Sequence, residues 1–269
     1  MLDTTRFQSA AKYASYLKTW PGRLRSELAW ENLRCCLPQA AATRRALDVG
    51  GGVGFASLQL AQMGFNVVLL DSSEEMLGIA RQQAEASSVT ARISFCHADA
   101  GCLPELFEAS YFDVVICHNL LEYVEDPFAV VRQMAHVMRE DAVVSVLVRN
   151  RAGEVLRAAI KSADWKLAAA NLSAETVTDS LFGEPVRVFT PVDVSSVLAK
   201  AGLGVVAEHG VRVLSDYLDL PDDLNSEAYR QVFELERILG AQSQFAAIAR
   251  YTQVIGRRSS ACSDKEPGQ

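Results

Sequence analysis

No apolar run in this chain approaches the roughly 20 residues of a membrane-spanning helix, and the amino terminus has no basic stretch leading into an apolar one. The sequence therefore predicts a protein that neither spans a membrane nor is secreted, and a cytoplasmic location. It also lacks any Cys-x-x-Cys pair. The six cysteines are scattered, several within apolar runs, which excludes a disulfide framework and favours reduced thiols. Only four histidines occur (His97, His118, His136 and His209), none at metal-ligand spacing, so no metal is expected. Basic charge is short as well: 26 Lys and Arg against 33 Asp and Glu leave a net charge of −7, which argues against generic nucleic-acid affinity. With 49% hydrophobic residues over 269 positions, the chain can nevertheless bury a full core.

What is present is a glycine run. Residues 45–49 are an apolar strand candidate that contains Asp48, and Gly50, Gly51, Gly52 and Gly54 follow at once. Glycine serves where the backbone turns with positive φ or lies against a ligand with no Cβ between them. The dinucleotide spacing G-x-G-x-x-G fails, because its last slot is Phe55 counted from Gly50 and Ser57 counted from Gly52. The spacing that fits is Asp48-x-Gly50-x-Gly52-x-Gly54. A second apolar run, Phe65 to Leu70, ends at Asp71, 21 residues after Gly50, where a carboxylate can accept hydrogen bonds from both hydroxyls of a ribose. Ser72 and Ser73 follow, so Asp71 can also cap a helix over residues 73–87.

Strands at 45–49, 66–71, 91–96, 112–117 and 142–149 alternate with helices at 54–63, 73–87 and 127–139, the pattern of parallel crossover units. Two helices, 4–18 and 23–38, precede the sheet. After Asn150 a helical stretch over 152–170 and a loop over 171–187 interrupt the alternation. Thr190-Pro191 opens a helix to about Ala201, a sixth strand spans 205–214, a helix covers 225–240 and a last strand lies near 246–256. The expected division is an N-terminal helical cap (1–40), a catalytic domain (41–257) carrying a helical substrate insert (151–190), and a disordered polar tail (258–269).

The loop Asp48-x-Gly50-x-Gly52-x-Gly54 resembles that of S-adenosylmethionine (SAM) methyltransferases, which implies SAM as cofactor and a Rossmann-like α/β fold: a seven-stranded sheet whose last strand is antiparallel, with N-terminal helices and a helical insert after strand 5. In that pattern the segment Cys96-His97-Ala98-Asp99-Ala100 holds adenine, with Asp99 or Ala100 at its edge, and Ser72 lies beside the ribose. His118, at the end of the fourth strand, faces the methionine portion and the acceptor. By position alone a strand-end histidine is more often a packing residue, and placement on a cofactor-facing loop brings the two readings level.

Segments outside the common fold carry a closer resemblance. Gly22-Arg23-Leu24-Arg25, Trp30-Glu31-Asn32-Leu33, Gly210-Val211-Arg212-Val213 with Asp216-Tyr217-Leu218, and Arg250-Tyr251 resemble the bacterial tRNA 5-carboxymethoxyuridine methyltransferases, through most of residues 5–257. The resemblance implies methyl transfer to the wobble-uridine carboxylate, the tRNA anticodon loop as partner, and SAM contacts from Arg25, Gly50, Gly51, Asp71, Ala100 and His118. The chain departs from the family at 171–179, which is acidic where a lysine-rich run can stand. A carboxylate acceptor needs a cation to hold it. Arg149, Arg151 and Arg212 are candidates by place, with Tyr217 beside them, and Arg212 and His118 are the groups nearest the chemistry. Two other readings stay open: a methyltransferase for a small carboxylic acid or hydroxyl compound, and a SAM-binding protein without activity.

Overall fold

A computed structural model describes residues 10–39, 41, 43–218, 220–221 and 224–258. Five parallel strands make the first part of the sheet: β1 (Arg45–Val49), β2 (Asn66–Asp71), β3 (Ile93–His97), β4 (Phe112–His118) and β5 (Met138–Arg149). A short pair, β6 (Thr176–Thr178) and β7 (Pro185–Arg187), lies outside it, and β8 (Leu203–Val211) and β9 (Tyr251–Arg258) complete it. The order β3-β2-β1-β4-β5-β9-β8 reverses direction at β1/β4, and β9 runs antiparallel to both its neighbours. This is the expected Rossmann-like methyltransferase sheet. Its ligand crevice lies outside the carboxyl ends of β1 and β4, where the winding switches.

The strands are mostly apolar at their centres because helices cover both faces, with Ser145 of β5 and Gln253 of β9 as buried polar exceptions. Helices α1 (Ala10–Lys18), α2 (Trp20–Arg34), α3 (Phe55–Gln62) and α4 (Glu74–Ala86) accompany the first strands, and α5 (Leu103–Leu106) precedes β4. One core cluster joins Leu33, Leu60, Phe65, Leu77 and Val114. A second unites Phe112, Val131, Met134, Val144 and Leu198 beneath α6 (Pro127–Val137) and α9 (Pro191–Lys200). Starts follow local chemistry: Asp126 caps α6 ahead of Pro127, and Thr190 forms a capping box with Asp193 ahead of Pro191.

Several boundaries differ from the sequence expectation. The second helix begins at Trp20, because the Thr19 hydroxyl accepts from the Gly22 amide and Pro21 sits in the first turn. Residues 4–9 of the expected helix 4–18 lie outside the described residues, as do residues 259–269 of the expected tail. Arg258, assigned to that tail, closes β9. The helix expected over 152–170 is broken: α7 (Arg151–Leu156) passes into a π-helical turn (Arg157–Lys161), and α8 (Trp165–Asn171) restarts with Asp164 as cap. The expected loop 171–187 contains the β6–β7 hairpin. The sixth strand stops at Val211 because Arg212 turns left-handed at φ 63°. The carboxylate of Glu236, on α10 (Ser226–Gly240), holds that turn by accepting from the amides of Val213, Leu214 and Ser215. Finally α11 (Ser243–Ala246) occupies the start of the expected last strand.

Candidate active site

A cavity of about 390 Å³ opens at the carboxyl ends of β1, β2 and β4, within the range of small-molecule sites. One end is made by the glycine loop. Gly50 and Gly52 adopt φ of 67° and 56°, in the left-handed region. A Cβ on Gly52 would meet only Tyr13, at 3.5 Å, whereas one on Gly51 would strike Leu69 and Asp48 at 2.8 and 2.9 Å. Gly52 is thus open toward the cavity side and Gly51 is pressed onto the sheet. Asp71 bridges loop and helix: one carboxylate oxygen accepts from the Gly52 amide at 2.8 Å, the other from Ser73 at 2.9 Å. Burial pushes its pKa up, and these two amides hold it back. Each oxygen retains a lone pair for a ligand hydroxyl. Ser72, Ala98, Asp99 and Ala100 continue the wall, with Asp99 accepting from the Gly101 amide at 2.7 Å.

The other end is cationic. Arg149 closes β5, Arg250 precedes β9 and Arg212 follows β8. Tyr251, the first residue of β9, pairs in register with Arg149 and Val211. Three strand ends therefore deliver three guanidiniums to one rung, and Arg25 of α2 makes a fourth. Their carbons stand 5.6 Å (Arg25), 5.8 Å (Arg149), 5.8 Å (Arg212) and 6.0 Å (Arg250) from the Tyr251 ring centre. Three of the four meet carboxylates: Arg149 donates to Glu154 at 2.9 Å and to Asp179, Arg212 to Asp216 at 2.6 Å, and Arg250 lies 2.6 Å from Glu154. Glu122 accepts from the Arg149 amide and, at 3.0 Å, from Asn119, and burial pushes its carboxyl up.

Arg25 is different. It is 7% exposed, its guanidinium donates to the Tyr13 hydroxyl at 2.9 Å, and among the described residues no carboxylate lies within ion-pair distance. A buried cation without a counter-ion is costly unless a ligand supplies the anion. Beside it, His118 Nε2 lies 2.8 Å from the Ser145 hydroxyl. Burial, and then the charge of Arg25, lowers the His118 pKa to about 3, so the ring is neutral at pH 7.

The structure brings Arg25, Gly50, Gly52, Asp71, Ser72, Asp99, Ala100, His118, Arg149 and Arg212 to one cavity. It places others elsewhere. Asp48 lies under the loop, accepting from Ser57 at 2.7 Å, with burial raising its pKa to about 6. Gly51 lines a smaller recess behind, and Gly54 begins α3. Arg151 faces Asp193 at 3.8 Å, and the Tyr217 hydroxyl donates to the Ile248 carbonyl at 3.3 Å; neither borders the cavity. Residues not anticipated there include Tyr13, Tyr16, Glu122, Arg157, Asp179, Asp216 and Arg250. Asp179, from the acidic segment that departs from the family, turns out to be a counter-ion of Arg149. Its second oxygen caps Leu181 and Phe182, setting both against the cavity.

The glycine cradle, the Asp71 carboxylate with a lone pair left on each oxygen, and Arg25, which meets no carboxylate among the described residues, fit the adenosine and carboxylate parts of SAM. Among the described residues no cluster of His, Cys, Asp and Glu could hold a metal ion, and no helix is long and apolar enough to cross a membrane.

Residues 41–210 match the family described as "Methyltransferase domain". The tRNA 5-carboxymethoxyuridine methyltransferase of Escherichia coli (strain K12) is 28% identical over 244 residues, covering 89% of this chain and 90% of that protein. A ubiquinone biosynthesis O-methyltransferase of Methylococcus capsulatus is 30% identical over 171 residues, covering 61% of this chain and 71% of that protein. Among solved structures, a SAM-dependent methyltransferase of Thermotoga maritima, described as a possible histamine N-methyltransferase, superposes with a TM-score of 0.61 at 14% identity. It covers 93% of this chain and 95% of its own, a likeness of fold.

Proposed function

Because this chain belongs to the methyltransferase domain family and uses SAM, we propose that it methylates the carboxylate of 5-carboxymethoxyuridine at the wobble position of tRNA, giving a methyl ester. The observation that carries this reading is the arginine wall. Besides Arg25, whose charge is assigned to the cofactor carboxylate, four guanidiniums (Arg149, Arg157, Arg212 and Arg250) border the cavity; Arg149, Arg212 and Arg250 meet carboxylates, whereas among the described residues Arg157 has none within ion-pair distance. Arg157 is therefore the cation left for an anionic acceptor, and guanidinium suits a carboxylate because it can donate two parallel hydrogen bonds. The E. coli relative, matched along nearly its whole length, supports the same acceptor.

SAM supplies a methyl group already activated on sulfonium. The residues need only hold the acceptor in line with it and exclude water, and positioning alone can contribute about 7 to 11 kcal/mol. An ionised carboxylate needs no general base. His118, with its pKa at about 3, is a poor one near neutral pH, which weighs against a hydroxyl acceptor that would have to lose a proton. Leu181 and Phe182 give part of the cavity an apolar lining.

An RNA acceptor also needs a landing surface, and the insert offers one. Trp165 on α8 is 70% exposed, in a stretch that carries Arg157, Lys161 and Lys166. An open indole can stack on an unpaired base while neighbouring cations meet phosphates. Trp165→Ala should raise the KM for tRNA several-fold and leave the KM for SAM unchanged. The net charge of −7 and the acidic 171–179 segment favour a second reading, a small carboxylic acid as acceptor. The deciding experiment incubates the full chain with methyl-labelled SAM and tRNA from cells lacking the gene, followed by nucleoside mass spectrometry. Label in a carboxymethoxyuridine methyl ester supports the tRNA reading; unlabelled tRNA with a labelled small acid from a metabolite extract overturns it in favour of the second.

A further inference from the structure

Behind His118 runs a chain of hydrogen bonds. Asn32 Nδ2 donates to Gln253 Oε1 at 2.9 Å, and Gln253 Nε2 donates to the Ala29 carbonyl at 2.9 Å and to Ser145 Oγ at 3.0 Å. Ser145 Oγ in turn lies 2.8 Å from His118 Nε2. Strand alternation builds it. Ser145 pairs with Ile116 on β4 and with Ile255 on β9, so His118 and Gln253, each two residues away from those partners, share its face of the sheet. Ser145 and Gln253 have no exposed surface at all.

The chemistry of the links fixes the direction of every donor. The Ala29 carbonyl can only accept, so the amide nitrogen of Gln253 must face it, and both hydrogens of that nitrogen are then used on Ala29 and Ser145. The Ser145 hydroxyl accepts from Gln253, and among the described residues its own hydrogen has one acceptor in reach, His118 Nε2. Were Nε2 protonated instead, the buried hydroxyl hydrogen would be orphaned, which shifts the tautomer ratio by roughly tenfold to a hundredfold. Since Nε2 is turned to Ser145 while the ring lines the cavity, Nδ1 is the nitrogen left for a ligand.

We propose that Ser145 and Gln253 are positioning residues that hold His118 as the Nδ1–H tautomer, so that the ring offers a hydrogen-bond donor to a carboxylate oxygen beside Arg25. That oxygen belongs either to the methionine portion of SAM or to the acceptor; the second source rests on the carboxylate reading above.

The test begins with the unmodified full chain. In 15N-resolved imidazole spectra, His118 is the signal lost in His118→Asn. At pH 7 its Nδ1 should be protonated and its Nε2 bare, and the ring should stay neutral down to about pH 4. A proton on Nε2, or titration near pH 6.5, would overturn the proposal, whatever the acceptor proves to be. Ser145→Ala should raise the Nε2–H fraction; if that variant does not fold, the unmodified spectrum still decides. His118→Asn, whose amide nitrogen takes the place of Nδ1, should keep ligand affinity within a few-fold, whereas His118→Gln, which replaces Nε2, should lose about tenfold. A loss in SAM affinity assigns the oxygen to the cofactor, and a loss confined to acceptor KM assigns it to the acceptor. Equal behaviour of the Asn and Gln variants contradicts the proposal.

Discussion

Arg25→Met separates a ligand-binding cation from a structural one. The guanidinium is buried, bonds to the Tyr13 hydroxyl at 2.9 Å and has no carboxylate partner among the described residues. Its charge therefore leans on the Tyr13 hydroxyl and on three tyrosine rings rather than on a carboxylate. Methionine keeps much of the apolar stem while removing that charge, so the ligand-free protein should melt no lower than the parent, because an unpaired buried charge is itself a cost. SAM binding should suffer. Two charge-assisted bonds at about 1.5 to 3 kcal/mol each would be lost. Allowing for water that replaces part of them, a loss of about 3 kcal/mol corresponds to roughly a hundredfold in Kd. Calorimetry with SAM and with decarboxylated SAM measures this directly: the parent should prefer SAM strongly, and the variant should bind both alike. If Arg25→Met binds SAM within twofold of the parent, or loses affinity equally for both ligands, Arg25 does not hold the cofactor carboxylate and the reasoning from its missing counter-ion is wrong.

Asp71→Ala should weaken SAM by about tenfold or more, through loss of ribose hydrogen bonds to a charged acceptor at about 1.5 to 3 kcal/mol each, as read by the same calorimetry. Asp48 tests the buried charge under the loop. Its native pKa of about 6 lies above the ordinary aspartate range, so its ionisation destabilises the fold, and the cost grows as pH rises from about 4 to 6 and is constant above. Two pH units correspond to about 3 kcal/mol. Asp48→Asn should therefore raise the denaturation midpoint at pH 8 and have no effect near pH 4; a gain that is independent of pH would contradict this. Arg149→Met leaves Glu154 with Arg250 alone and Asp179 buried without its cation. It should cost about 3 to 5 kcal/mol in urea denaturation, and a change below 1 kcal/mol would show that the cluster relaxes without Arg149.

The sheet and the cofactor end of the site were legible because each is encoded locally. The glycine spacing and Asp71, each at the end of one of two successive strands, meet in space through the Gly52 amide, and apolar strands closed by polar ends mark the parallel core. The acceptor end was only half legible. Arg149 and Arg212 could be singled out, but their convergence with Arg250 on Tyr251 depends on β9 inserting between β5 and β8, a long-range register that no local pattern carries. Arg151 and Tyr217, adjacent to these positions in sequence, point to Asp193 and Ile248 instead. The break at Arg157–Lys161 escaped notice because its residues have ordinary helical character. Asp179 lies in the acidic segment that departs from the family, and only the folded chain sets it against Arg149. Ser145 and Gln253 carried no signal, since a polar residue in an apolar strand declares a function only when its partners are seen.

The central claim is that the arginine wall holds a carboxylate and that the product is an ester. Its most direct test is mild alkali treatment of RNA labelled by this protein from methyl-labelled SAM. Release of the label as volatile methanol is the predicted result. Label that stays on the nucleoside through alkali would mean that the methyl sits on nitrogen, carbon or an ether oxygen, and would contradict the account.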